Sequence, residues 1–132
     1  MTRPVLRRIA TPERGRWAAG LIGAVGPKTT PQDMAAHMQH IGDVNFSVLL
    51  KMLSALRTHH TESFLPHITA PTLVLAGRHD RFTPPPVMEQ MANAIPEAKL
   101  VWFDDAGHLL PIEEPEGVAR ELTRFLATRV ND

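Results

Sequence analysis

Residues 71–108 read P-T-L-V-L-A-G-R-H-D-R-F-T-P-P-P-V-M-E-Q-M-A-N-A-I-P-E-A-K-L-V-W-F-D-D-A-G-H, and this stretch decides the fold. It is a short apolar run ending at an acid, a helix-length segment, and a second apolar run ending at a histidine. Two strands joined by a helical crossover make a parallel βαβ unit. Pro71 restricts Ala70 to extended backbone, so the first strand is expected over Thr72–Ala76. It is apolar throughout, which predicts that both of its faces are covered. Gly77 ends it, and Arg78-His79-Asp80 form a turn. Prolines 84–86 open the crossover helix, with Val87, Met88, Met91 and Ile95 facing inward and Pro96 as the stop. The second strand is expected over Leu100–Phe103, followed by a loop from Asp104 to His108. Asp80 and His108 then sit just past the C-terminal ends of neighbouring strands, where open parallel sheets place their ligands.

Working outward toward the C-terminus, Pro115 begins a last helix. Its inward face is expected to be Val118, Leu122, Phe125 and Leu126, with Arg120, Glu121 and Arg124 outward. Toward the N-terminus the pattern is helical. Thr11-Pro12-Glu13 reads as a helix start, and Trp17, Leu21 and Val25 share one face of a helix ended by Gly26-Pro27. Thr30-Pro31-Gln32-Asp33 repeats the start signal, with Asp33 in the capping-box position. Met34, Met38 and Ile41 form the stripe of that second helix, which stops at Gly42. Asp43 then caps a third helix, with Val44, Val48, Met52 and Leu56 on one face and its end near Arg57. Thr58–Thr69 is a polar linker carrying His59, His60 and His67. The methionines of these helices read as core or interface filler, not as a ligand set.

Composition narrows the function classes. The chain has 132 residues, 43% of them hydrophobic, which suits one folded domain with a modest core. Lys plus Arg equals Asp plus Glu, 14 each, so net charge gives no reason to expect nucleic acid or an anionic membrane as partner. Absence of cysteine excludes disulfides, thiolate metal sites and a cysteine nucleophile. No apolar run reaches the roughly 18 residues of a membrane span, and the basic N-terminus lacks a signal-peptide apolar core. The expected location is cytoplasmic. Arg7-Arg8 are too few for a nucleic-acid patch, and Trp102 reads as a packing residue of its strand.

Two pairs invite a metal reading, His79-Asp80 and His59-His60, but no H-E-x-x-H or comparable spacing accompanies them. His79 is expected to be a turn residue, and His59-His60 part of a solvated linker. Asp80 and His108 are the better chemical pair. An acid that accepts a hydrogen bond from one imidazole nitrogen fixes the tautomer and leaves the other nitrogen as a general base. In the plainer reading Asp80 caps the segment after it and His108 is a loop residue bonded to backbone. Spacing alone leaves both readings open.

From Ile68 to Leu126 the sequence resembles the C-terminal end of α/β-hydrolase-fold enzymes, in particular the esterase, lactonase, haloperoxidase and carbon–carbon-bond hydrolase branch. P-T-L-V-L-A-G-R-H-D-R-F-T-P is similar to that family's strand leading to the triad acid, which implies an acid role for Asp80. F-D-D-A-G-H is similar to its last strand and histidine loop, which implies the base role for His108. L-L-P-I-E-E-P and the helix after it resemble the family's terminal helix, and residues 1–67 are loosely similar to its helical cap. The resemblance implies a partial α/β-hydrolase fold: a cap-like segment over 1–67, then a two-strand parallel βαβα unit over 68–132. It implies a small ester, lactone or similar acyl substrate and no cofactor.

The family's nucleophile motif, G-x-S-x-G, does not occur in these 132 residues, nor does an H-G-type oxyanion loop. Ser47, Ser54 and Ser63 precede Asp80, but none lies in a strand-to-helix elbow. Two expectations follow. One is a protein that supplies only the acid and histidine of a Ser-His-Asp triad, weakly active or inactive alone. The other is a non-catalytic relative that works as an oligomeric binding or interaction module. In either case the free edge of the first strand invites a complementing hydrolase chain or a homo-oligomer, by edge pairing across a twofold axis or by exchange of the Met-bearing helices over 31–57.

Overall fold

The computed structural model of the chain describes residues 12–21, 23–35, 45–56 and 58–129. In chain order come helix α1 (Pro12–Leu21), a helical turn over 31–35, helix α2 (Phe46–Leu56) and a 3-10 turn (Glu62–His67). Strand β1 (Leu73–Gly77), helix α3 (Pro85–Ala94) and strand β2 (Lys99–Phe103) follow, then the short helix α4 (Leu110–Glu113) and helix α5 (Pro115–Arg129).

β1 and β2 pair in parallel, from Leu73 opposite Lys99 to Gly77 opposite Phe103. The expected βαβ unit is therefore present, with β1 one residue later at both ends and β2 one residue longer at its start. α3 makes the crossover. Pro84 is its N-cap, and the prolines behind it occupy first-turn positions whose N–H groups would have no helical acceptor anyway. Extended backbone at Ile95 ends it. Val74 and Ala76 of β1 are buried, and Ala92, Ile95, Ala106 and Leu110 close around them. Leu73 and Leu75 are only half-buried, so one face of β1 is covered less than its unbroken apolar run suggests. On α3, Met88 and Met91 are half-buried as expected, whereas Val87 is exposed.

α5 is rolled about its axis relative to the expected orientation. Glu121 is buried, whereas Leu122 and Leu126 are 44% and 59% exposed. The cause is Gly117. A Cβ at that position would lie 2.7 Å from the Phe103 ring, so the helix packs onto the two-strand sheet along the line through residues 117 and 121. The apolar stem of Glu121 is enclosed, and its carboxylate meets Arg124 Nη1 at 3.0 Å and Lys99 Nζ at 3.7 Å, two side chains that reach solvent.

The N-terminal half differs in detail as well. α1 stops at Leu21, because Gly23 turns the chain with φ 70 and its N–H donates to Gly20. Val25 is buried, but beyond the helix, and Trp17 is 65% exposed. The capping box at Thr30 and Asp33 forms: Thr30 N donates to Asp33 Oδ2 at 2.8 Å and Asp33 N to Thr30 Oγ1 at 3.3 Å. Met34 behind it is fully enclosed. The expected continuation through Met38 and Ile41, and the stop and cap at Gly42 and Asp43, lie outside the described residues. Asn45 caps α2 through Ser47 N at 3.0 Å. The apolar face of α2 forms on schedule but is not covered, since Val48, Leu50, Met52, Leu53 and Leu56 are all exposed. The stretch expected to be a polar linker contains the 3-10 turn, which packs against α3. No described helix is long and apolar enough to cross a membrane.

The Glu121 contacts give a test of packing against charge. Lys99 and Arg124 remain hydrated if the carboxylate is removed, so Glu121→Met should unfold within about 1 kcal/mol of the wild type, or above it. Glu121→Lys places a third cation at a buried position and should cost on the order of 3 kcal/mol, read from denaturant melts.

Candidate active site

Parallel pairing sends the chain out of both strands at the same end of the sheet. Beyond β1, Arg78 N still pairs with Phe103 O at 3.0 Å, and His79 N donates to Ala106 O at 2.9 Å. The two exit loops are thus bonded to each other before they reach Asp80 and His108. Ala106 and Gly107 are buried, which anchors the loop that ends at His108.

Asp80 is 7% exposed and every lone-pair direction of its carboxylate is used. Oδ1 accepts from Phe82 N at 2.8 Å and Thr83 N at 3.0 Å. Oδ2 accepts from Thr83 Oγ1 and lies 3.0 Å from His108 Nδ1. Burial disfavours the charged carboxylate, but the bonds from the Thr83 hydroxyl and N–H, from His108 and from Phe82 together outweigh it and hold the Asp80 pKa below its ordinary value. An ionised carboxylate only accepts, so the proton of this contact resides on Nδ1 of His108, and Nε2 carries the lone pair in the neutral ring. The side chain of His108 is 45% exposed, and its Nε2 makes no hydrogen bond among the described residues. The Phe82 ring lies 5.0 Å from the imidazole, tilted by 44°.

Asp80, Thr83 and His108 line a cavity of about 240 Å³ whose other walls include Leu75, Met88, Leu110 and Val118. A polar, oriented acid–imidazole pair therefore opens onto a largely apolar hollow, the arrangement general-base chemistry on a small organic substrate needs. Ser47 and Ser54 stand exposed on α2 and Ser63 on the 3-10 turn, and none of the three lines this cavity. His79 is an exposed turn residue, and His59 and His60 are exposed. No three His, Asp or Glu residues among those described converge as a metal site would require.

Three participants were not singled out from the sequence. Thr83 and Phe82 brace Asp80 and His108, and the spacing D-x-x-T was the available signal, being that of a short polar residue closing its own turn. Residues 23–26 are the third. Gly23 O accepts from Arg81 N at 3.0 Å and Ala24 O from His108 N at 2.9 Å, so this strap spans the acid turn and the histidine loop. It bonds through its main chain, and the one sequence trace of it is the glycines at 23 and 26, where a side chain would meet the Arg81 side chain and the Asp105 backbone.

The chain belongs to the α/β-hydrolase fold family, whose sequence model matches residues 24–115. It is 34% identical over 113 residues to RutD of Pseudomonas syringae pv. syringae, a protein named for carbamate hydrolysis, with 86% of this chain and 42% of that protein covered. A pimeloyl-[acyl-carrier protein] methyl ester esterase of Vibrio vulnificus is 31% identical over 99 residues, covering 75% of this chain and 33% of its own length. Among solved structures, a thermophilic esterase from Thermogutta terrifontis superposes with a TM-score of 0.62 at 30% identity, over 96% of this chain and 48% of that one. The chain spans less than half the length of these relatives.

The depressed Asp80 pKa fixes the sign of an acid effect. Its contribution to stability is complete above the unfolded-state value, about pH 4, and is lost as pH falls through the lower folded-state value. Unfolding free energy measured from pH 5 downward should therefore fall less steeply for Asp80→Asn than for the wild type. At neutral pH Asp80→Ala, which strands the Phe82 and Thr83 donors, should cost on the order of 2–3 kcal/mol.

Proposed function

We propose that this protein is a hydrolase component that supplies the acid, Asp80, and the base, His108, of a Ser-His-Asp triad acting on a small ester, lactone or similar acyl substrate. The observation that carries the reading is the 3.0 Å contact between His108 Nδ1 and a buried Asp80 whose remaining bonds hold it in place. The relatives named as esterases favour an acyl substrate, and the name of RutD adds carbamates to the range. In this mechanism Nε2 of His108 takes the proton of the attacking hydroxyl and returns it to the leaving group. Asp80 stabilises the imidazolium formed in between.

The nucleophile comes from outside the described site, because no serine of the chain lines the cavity and G-x-S-x-G is absent from the sequence. A complementing hydrolase segment that carries the motif completes the site, and self-association through the open strand edge completes the sheet. The open edge of β1 supports this, since among the described residues β1 pairs with β2 alone. So do the exposed apolar side chains of α2 and α5. Residues 1–67 act as the cap-like part and 68–132 as the core part of that assembly.

Two measurements test the proposal. Sedimentation of the purified chain at micromolar concentration should show self-association, and a strictly monomeric species with cooperative unfolding overturns the oligomer. Hydrolysis of a short-chain p-nitrophenyl ester should be at or near background for the chain alone. Mixed with the nucleophile-bearing N-terminal half of a family esterase, the wild-type chain should raise turnover and His108→Ala should lose about 100-fold or more of it. Equal turnover with both proteins overturns the role of His108.

A further inference from the structure

We propose that Glu113 is the positioning residue of the histidine loop: one oxygen of its carboxylate ties the backbone of Gly107 to that of Gly26 and so holds the His108 ring against Asp80. This rests on the acid–histidine reading above and adds a residue to it.

The argument starts from unmet donors. The strap over 23–26 crosses the two loops of the site, and its first two carbonyls are used by Arg81 N and His108 N. Gly26 and Gly107 are both buried, and a buried N–H without an acceptor is costly. Neither finds one in the main chain. Both donate instead to the same atom, Glu113 Oε2, from Gly26 at 3.2 Å and from Gly107 in a shorter bond. The other oxygen, Oε1, is buried and accepts no hydrogen bond among the described residues, so all the hydrogen bonding of this carboxylate goes to the two glycines.

The position of Gly107 gives the tether its consequence. It immediately precedes His108, whose own N–H is bonded to Ala24 of the same strap. A rotation of the peptide at Gly107 would carry the imidazole away from Asp80, and the Glu113 bond opposes that rotation. Glu113 itself is set by the turn of α4, through Glu113 N to Leu109 O at 3.0 Å, directly after the histidine. Lys28 and Asp105 pair across the same seam at the surface, which marks it as a second, solvated link between strap and loop.

The test is nuclear magnetic resonance on the full chain. In the wild type the amide protons of Gly26 and Gly107 should shift together with the Glu113 carboxyl as it titrates, and His108 should show a downfield, hydrogen-bonded Nδ1 proton. Glu113→Ala should lose that Nδ1 proton. Glu113→Gln, whose amide oxygen still accepts both bonds, should retain it, as should Glu114→Gln at the neighbouring acid. Retention of the Nδ1 proton in Glu113→Ala overturns the proposal, and so does its loss in Glu113→Gln, which would assign the effect to charge. If the alanine variant does not fold, the wild-type titration decides, because Gly26 and Gly107 amides that ignore the Glu113 carboxyl also overturn it. Failure of the underlying reading looks different: the Nδ1 proton is then missing in the wild type while both amides still follow Glu113. That result removes the positioning role together with the acid–histidine pair.

Discussion

Everything at the site depends on two five-residue strands running in the same direction. Parallel pairing sends the loops after β1 and β2 out of one end of the sheet, and an antiparallel pair would have sent them to opposite ends. The constraint continues past the strands themselves, through the bonds from Arg78 N to Phe103 O and from His79 N to Ala106 O. By the time the chain reaches Asp80 on one side and His108 on the other, the two backbones are already in register. The 3.0 Å contact between their side chains needs only the last few torsions to be set.

Asp80 sets one side of that contact. As a turn-forming residue it satisfies Phe82 N and Thr83 N, and as an ion partner it faces the imidazole. Closing its own turn and facing a histidine do not compete for this carboxylate, because it has enough lone pairs for both. The turn bonds make the contact with the histidine precise. An acid that swung freely could meet the histidine in many geometries, whereas one held by its own turn offers a single oxygen in a single direction. The bonds that fix it also keep it ionised against the penalty of burial.

How much of this was legible in the sequence follows from what kind of interaction carries each part. The βαβ unit, the proline-led start of α3 and the capping box at Thr30 and Asp33 depend on local residue preferences and were readable. Strand order put Asp80 and His108 at the same end of the sheet, but spacing alone did not decide that their side chains meet. The roll of α5 was not readable, since apolar spacing favours Leu122 and Leu126 while the close approach of Gly117 to Phe103 decides the face. In α2 the stripe was correctly placed, but periodicity says only that a face is apolar and not whether this chain covers it. The strap over 23–26 and its link to Glu113 were hard to read because the bonds are made by main-chain groups, and the glycines that allow the close approach do not say what they approach. The first of the two glutamates in I-E-E-P looks like any solvated acid.

The strap also bears on the order in which the molecule assembles. β1, α3 and β2 are contiguous in the chain, so their packing closes only short loops. The bond from Gly26 to Glu113 joins residues 87 positions apart, and closing so long a loop carries an entropic cost that is met only when the partners on both sides are already in place. Contacts of that separation lengthen the search for the native state. The sheet and its crossover helix can therefore nucleate before the acid turn, the histidine loop and the strap are locked together. Order at the site thus depends on residues 23–26, which lie far from it in sequence.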